Sequence, residues 1–286
     1  MTMNQTAKSM SIKEEHFTLH AYMDPFNKRI RIEDYLGNTN QLIQKAEELV
    51  QKHYAEKLIC KVRSEQLSLF FEKGFQPEAV VDSYFLGSDA YFVAKYYKVE
   101  RKMNDHWIIE DQIIKGISEL KPPQQKIFPP DGYELKKADE SHAVDLAALY
   151  KQVFPIYPTP LNDPEYVKKT MSAGTIYYIF VYQGKIVSAA SAEINNFYKN
   201  AEITDCATFS EHRKYGLMKF LLQELEGDLR KKGIYCVYSI ARALSFGMNA
   251  ALFQLGYHYR GRLLNNCFIY DKLESMNMWV KNLAGC

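Results

Sequence analysis

Residues 201–222, AEITDCATFSEHRKYGLMKFLL, gather the residue types that could hold an anion. Ala201–Thr208 reads as a strand, Phe209–His212 breaks it, and Leu217, Met218, Leu221, Leu222, Leu225 and Leu229 recur at helical spacing. A strand, a turn carrying Gly216 and a helix start leave the first helical N–H groups without backbone acceptors, which suits a phosphate. Arg213 and Lys214 stand where the helix would begin, and cations there oppose its dipole unless an anion lies between. Such units also occur without any ligand, so the elements around this one must decide.

Before the 201–208 strand, Thr175–Tyr182 and Lys185–Phe197 read as a hairpin about Gln183–Gly184. After the long helix, Ile234–Ile240 is a buried strand, Leu244–Leu255 a helix closed by Gly256, and Tyr257–Leu264 and Asn266–Tyr270 a last strand pair. Residues 271–286 read as a packed tail. The segment PIYPTPLNDP (155–164) is a Pro-pinned loop, equally a pocket wall presenting Tyr157 or a connector.

In the first part, residues 1–15 read as a loose lead-in. Strands Phe17–Met23 and Lys28–Ile32, a helix over Thr39–Tyr54, a strand over Lys57–Val62 and a helix over Arg63–Lys73 follow. Two strands, Phe75–Tyr84 and Asp89–Tyr97, flank a Gly87 turn. Lys98–Lys121 turns helical. Four prolines within residues 122–130 mark a linker between a first domain, 1–121, and a second, 131–286. The order predicts an α/β protein with a mixed sheet flanked by helices on both faces. Its ligands would bind at the carboxyl ends of the 201–208 and 234–240 strands. Residues 69–96 echo 251–272 as helix, Gly with an aromatic, strand, turn and strand. That pattern suggests a duplication whose first copy lacks the basic–Gly turn.

Net charge is +2, from 36 basic and 34 acidic residues, which gives no electrostatic case for a nucleic-acid partner. The five cysteines lack metal-ligand spacing and read as reduced core thiols of a cytoplasmic protein. No metal site is expected. No run of 18 apolar residues occurs, so neither export nor a membrane span is expected.

The segment Arg213-Lys214-Tyr215-Gly216-Leu217-Met218 resembles the carrier-binding signature of the GNAT superfamily of acetyl-CoA-dependent N-acetyltransferases, with Met218 in place of a small residue. More narrowly, TDCATFSEHRKYGLM (204–218), IARALSFGMN (240–249), LGYHYRGRLLNNC (255–267), ESMNMW (274–279) and YFLGSDAYFVAKY (84–96) resemble the beta-lysine N-acetyltransferase family. The resemblance spans nearly the whole chain. It implies a GNAT-like mixed twisted sheet preceded by a degenerate GNAT-like half domain. It also implies acetyl transfer from acetyl-CoA to the ε-amine of β-lysine, giving Nε-acetyl-β-lysine, a compatible solute. Another small-amine acetyltransferase, acting on lysine or a polyamine, and a non-catalytic acyl-CoA-binding module are the alternatives.

By that resemblance Thr208, Arg213, Lys214, Tyr215, Gly216, Leu217, Met218 and Lys219 bind the carrier. Ser245 occupies a position where the superfamily often has Asn, and Asn249 lies one turn on. A lysine-type ammonium of pKa ~10.4 must lose its proton before attack, so a carboxylate is required. Glu202 is the expected base and Asp205 the expected ammonium anchor, with the reverse open. Their strand parity is opposite, so only a bulge lets both face one cleft. Arg242, with Arg260 and Arg262 as alternatives, is the candidate carboxylate reader. Tyr157, Asn265 and Asn266 are candidate pocket residues. Leu252 stands where the superfamily often has a Tyr that protonates the thiolate, leaving Tyr257 or Tyr259. A homodimer through the first half or the final strands is plausible.

Overall fold

The computed structural model describes residues 7–120, 128–154, 157, 159–269 and 272–284. Most of the Pro-rich linker, residues 121–127, and Cys286 lie outside them. The first half runs β1 (Lys8–Lys13), β2 (Phe17–Asp24), β3 (Arg29–Gly37), α1 (Thr39–Lys52), β4 (Lys57–Val62), α2 (Leu67–Glu72), β5 (Gln76–Phe85) and β6 (Ser88–Tyr96). α3 (Val99–Lys102) and α4 (Trp107–Ser118) connect it to β7 (Tyr133–Lys137), α5 (Ala143–Val153), α6 (Pro164–Ser172), β8 (Ile176–Tyr182), β9 (Lys185–Asn195) and β10 (Asn200–Thr208). α7 (Leu217–Lys231), β11 (Cys236–Arg242), α8 (Phe246–Gln254), β12 (His258–Ile269) and β13 (Lys272–Asn282) complete the chain.

All thirteen strands form one sheet in the order β1-β2-β3-β4-β6-β5-β12-β13-β11-β10-β9-β8-β7. The order reads the same from both ends towards the β5–β12 seam. β3 pairs parallel with β4 as β10 does with β11, and β6 lies between β4 and β5 as β13 lies between β11 and β12. The echo of residues 69–96 in 251–272 is therefore part of a repeat of the whole half.

Two expectations are corrected. The lead-in contains β1, paired with β2 from Lys8↔Met23 to Lys13↔Thr18. The tail is β13, inserted between β12 and β11, where Met278 and Trp279 are buried. β12 and β13 therefore lie inside the sheet, with β12 laddered to β5 at the Gly261↔Ala79 rung.

The seam is tight. Gly261 and Ala79 form the one ladder pair between β12 and β5, and a Cβ on Gly261 would meet the Glu78 carbonyl oxygen at 2.3 Å. Its φ of +124° is also one that side chains rarely adopt. Beside it, fully buried Lys57 donates to Glu78 (2.8 Å) and the Leu264 carbonyl (2.7 Å).

β3 and β10 are seven steps apart in the order, about 34 Å along a flat sheet at ~4.8 Å per strand. Yet Tyr198, in the turn before β10, donates to Asp34 of β3 at 2.7 Å. The sheet therefore curls until β3 and the start of β10 come together. A core shared by both halves, including Ile59, Tyr84, Tyr238 and Met278, fills part of the concave side. α1 covers the outer face of the first half through Leu42, Ile43, Ala46 and Val50. α7 packs Leu221, Leu222, Leu225 and Leu229 against Tyr178, Phe180, Ala201 and Ile203.

Candidate active site

β10 and β11 are in parallel register only from Asn200↔Cys236 to Glu202↔Tyr238, and beyond that they splay. The splay opens a cleft of about 540 Å³. One lip is the turn into α7. Gly216 adopts φ +64°, ψ 22°, the left-handed region that favours glycine, and α7 begins after it with no side-chain cap. The helix N-terminus thus faces the cleft with N–H groups lacking intrahelical acceptors. Gly216, Met218, Arg213 and Lys219 line this lip, and Ser245, Met248 and Gln254 the opposite one. Arg213 is fixed by donating from Nε to the Thr208 carbonyl (3.1 Å). An uncapped helix, a glycine turn and two cations fit a diphosphate-bearing carrier.

The β9–β10 ladder is interrupted between Thr204 and Ala207, where Asp205 has φ +52°. This bulge reverses the parity that simple alternation gives. Asp205 turns to the side of Ser191, which donates to it at 2.7 Å, while Tyr157 donates at 3.2 Å. Ser191 shares its face of β9 with Glu193, and Glu193 is the direct partner of Glu202 across the ladder. Both carboxylates thus lie on one face. Burial raises Asp205 to about 6, although the two hydroxyl donors act in the opposite sense.

Glu202 opens onto a second cavity of about 380 Å³ on the concave side. Ile240 lines both cavities, so they adjoin through the β10–β11 splay. Glu193, Glu202 and Tyr238 stand side by side on three consecutive strands, fixed by the Glu202↔Glu193 and Glu202↔Tyr238 pairs. Burial, then the neighbouring Glu193, raises Glu202 to about 7. Burial, then Asp205, raises Glu193 to about 7. Such a pair holds or releases a proton near neutrality. Across the cavity stand Arg31, Glu33 and Lys61 of the first half.

A model of the acetyltransferase (GNAT) family matches residues 144–257. The chain is 40% identical over 273 residues to the N-acetyltransferase YodP of Bacillus subtilis (strain 168), covering 96% of this chain and 99% of that one. It is 33% identical to the beta-lysine N(6)-acetyltransferase of Methanococcus maripaludis, over 89% of this chain and 93% of the other. The enzyme of that name from Methanosarcina mazei is also 33% identical, over 87% of this chain and all of its own. The chain belongs to the GNAT acetyltransferase family. As a member it is an N-acetyltransferase with acetyl-CoA as cosubstrate.

Within this GNAT site the sequence-read residues divide. Thr208, Arg213, Gly216, Leu217, Met218, Lys219 and Ser245 line the carrier cleft, with Asp205 and Tyr157 beside them. Lys214 instead sits over the Tyr215 ring at 5.1 Å, and Tyr215 packs against Tyr133. Met218 is half-buried against the α7 core. Cys206 packs against the α7 core and also lines the cleft. Burial holds its thiol well up, which leaves little thiolate for a nucleophile.

Arg242 lines the carrier side, not the acceptor cavity, and makes a forked pair with Glu274 (2.8 and 2.6 Å). The residue expected to read a substrate carboxylate is thus engaged by a carboxylate of its own chain, Glu274. Its alternatives are also engaged: Arg260 with Asp82 (2.6 Å), Arg262 with Asp111 (2.8 Å) and Asn277 (3.0 Å). Asn265 donates to the carbonyls of Glu100, Arg101 and Met103, tying β12 to α3. Asn266 does line the acceptor cavity, and its buried Oδ1 has no hydrogen-bond partner. Leu252 and Tyr257 are core residues, and Tyr259 packs on Trp279, so none of the three lines the carrier cleft.

Asn249, expected to touch the carrier, is wholly buried. Its amide donates to the carbonyls of Arg242 (2.9 Å) and Ser245 (2.7 Å), and its oxygen accepts from Asn277 (3.0 Å) and Trp279 (2.7 Å). It ties α8 to β11 and β13. Asn249→Ala strands two buried donors and is expected to cost roughly 2–4 kcal/mol in urea unfolding. A loss below about 0.5 kcal/mol, the usual scatter of surface changes, would contradict this role.

Glu193, Arg31 and Lys61 escaped the sequence reading. Glu193 had a local signal: hairpin pairing places it opposite Glu202 once the register is known. Arg31 and Lys61 had none, because only the curl of the sheet brings them near.

Proposed function

We propose that this enzyme transfers the acetyl group of acetyl-CoA to the ε-amine of β-lysine, giving Nε-acetyl-β-lysine. The observation that supports the reading is the Glu193–Glu202 pair, poised near neutrality in a cavity that adjoins the cleft at the α7 N-terminus. The names of the M. maripaludis and M. mazei relatives supply the amine.

Bound acetyl-CoA supplies an activated acyl thioester. The chain's residues do the rest. Removing a proton from an amine of pKa ~10.4 at pH 7 costs roughly 4–5 kcal/mol. Glu202, with its pKa near 7, takes that proton directly or through water far better than an ordinary carboxylate. Burial, then like-charge repulsion from Glu193, keeps it there. Asp205, held by Ser191 and Tyr157, adds negative charge that favours an ammonium in the adjoining space. The Glu202 base follows the sequence expectation, and Asp205 keeps its role as anchor.

A thiol-release assay across β-lysine, lysine, ornithine and spermidine tests this, with mass spectrometry locating the acetyl group. β-Lysine is expected to give the highest kcat/KM, with acetylation at the terminal amine. A higher value for spermidine would turn the assignment to a polyamine acetyltransferase. No thiol release with any amine would remove it.

A further inference from the structure

The acceptor cavity has two chemically different walls. β9 and β10 contribute Glu193 and Glu202, whereas β3 and β4 contribute Arg31 and Lys61 together with Glu33 and Asp34. The walls are related by the repeat. Arg31 occupies the third rung of the β3–β4 ladder, counted from Arg29↔Lys57. Glu202 occupies the third rung of the β10–β11 ladder, counted from Asn200↔Cys236. The base position of the second half is thus an arginine in the first, and the curl turns the two towards one space.

The first half cannot use its own equivalent of the carrier site. Asn38 caps α1 by accepting from the Gln41 N–H (3.2 Å), filling a place that is uncapped at α7. Tyr35 bonds Gln66, and Gln66 donates to Thr39 (3.1 Å), bridging β3 to the segment after β4. What the first half offers is its concave face.

Arg31 is held flat there. Its guanidinium lies 4.6 Å from the centre of the Tyr22 ring. Its Nε approaches Glu33 Oε1 at 2.8 Å without hydrogen-bond alignment, and both buried atoms lack a hydrogen-bond partner. The two close on each other as an ion pair, so the terminal nitrogens of the Arg31 guanidinium are the ones left to meet a ligand in the cavity. Lys61 Nζ lies 2.5 Å from Glu33 Oε2. Both cations share Glu33, while Asp34 on the same wall accepts from Tyr198 at 2.7 Å, so the wall that faces the Glu193–Glu202 pair carries both signs with its two cations gathered about one carboxylate.

We infer that Arg31, backed by Lys61, binds the carboxylate of the amino-acid acceptor, so that the half without a carrier site sets which amines are accepted. A planar guanidinium on a tyrosine ring offers two parallel N–H donors to a carboxylate. The acceptor then spans the cavity with its carboxylate on the first half and its reactive amine on the second. This assignment rests on the β-lysine reading and adds the residue that separates an amino acid from a plain diamine.

The test compares β-lysine with 1,4-diaminopentane, the same skeleton without the carboxylate, in the full-length enzyme and Arg31→Met. The variant is expected to raise the β-lysine KM by about 10- to 30-fold, with a parallel rise in the calorimetric Kd. The diamine KM and the acetyl-CoA KM stay within about threefold, which separates a lost carboxylate contact from the loss of stability expected when Glu33 loses one of its two cations. Arg31→Lys, which keeps the charge and loses the fork, falls between. Equal losses on both amines, or none on β-lysine, overturn the assignment of Arg31 alone. Transfer to neither amine by the unaltered enzyme overturns the β-lysine reading and this assignment with it.

Discussion

Glu202→Gln is expected to lower kcat by about 10²- to 10³-fold while changing the acetyl-CoA KM little, because a positioned general base contributes that much. Gln keeps the size and one acceptor oxygen but cannot take the proton. The pH profile gives the sharper readout. A carboxylate base acts in its ionised form, and Glu202 titrates near 7. Activity in the unaltered enzyme therefore rises with pH through about 7, and falls below it as the pair takes up protons. Glu193→Gln removes the repulsion that helps hold Glu202 up, so the acid limb moves to lower pH while turnover above pH 8 is retained. Loss of turnover in Glu193→Gln together with near-normal turnover in Glu202→Gln would exchange the two roles. An unshifted limb in both variants would remove the pair from the proton path.

What sequence revealed depended on how far apart the interacting parts lie in the chain. The carrier lip is local. A glycine between a strand and an amphipathic helix fixes an uncapped N-terminus whatever surrounds it, and Gly216 and Arg213 lie where those signals put them. The β10 bulge is less local. Nothing in TDCA forces Asp205 to φ +52°, and only the mismatch with β9 reveals that both carboxylates share a face. Partner choice is least legible. Arg242 and Asn249 have the chemistry of ligand binders, but their neighbours in space, Glu274, Asn277 and Trp279, come from a strand that reads as a tail because its insertion between β11 and β12 has no local mark. The acceptor cavity is the extreme case, since its two walls come from different halves. The repeat itself was visible in residues 69–96 and 251–272, but that its two halves line one cavity follows from the curl of the sheet.

Gly216→Asp is expected to raise the acetyl-CoA KM by about 100-fold with the fold intact, which separates anion binding from backbone strain at the same position. A Cβ at Gly216 meets only Lys219 Cε, at 3.4 Å, the far part of a flexible side chain. Aspartate tolerates the left-handed region better than most residues, and at a helix N-terminus its carboxylate accepts from the exposed N–H groups. The helix therefore gains a cap and the melting temperature changes little. The carrier loses twice: its diphosphate must displace that cap and approach a like charge. Two charges 4 Å apart repel by ~1 kcal/mol in water and ~4 kcal/mol at an effective dielectric of 20, a range of about 5- to 1,000-fold in affinity. Gly216→Ala carries the strain without the charge, so its KM is expected to rise far less while its melting temperature falls more. At saturating acetyl-CoA both variants should keep kcat within about threefold, because neither touches the Glu193–Glu202 pair. Equal KM values for the two variants would mean that the lip matters only through its backbone shape, and an unchanged KM in Gly216→Asp would place the diphosphate elsewhere.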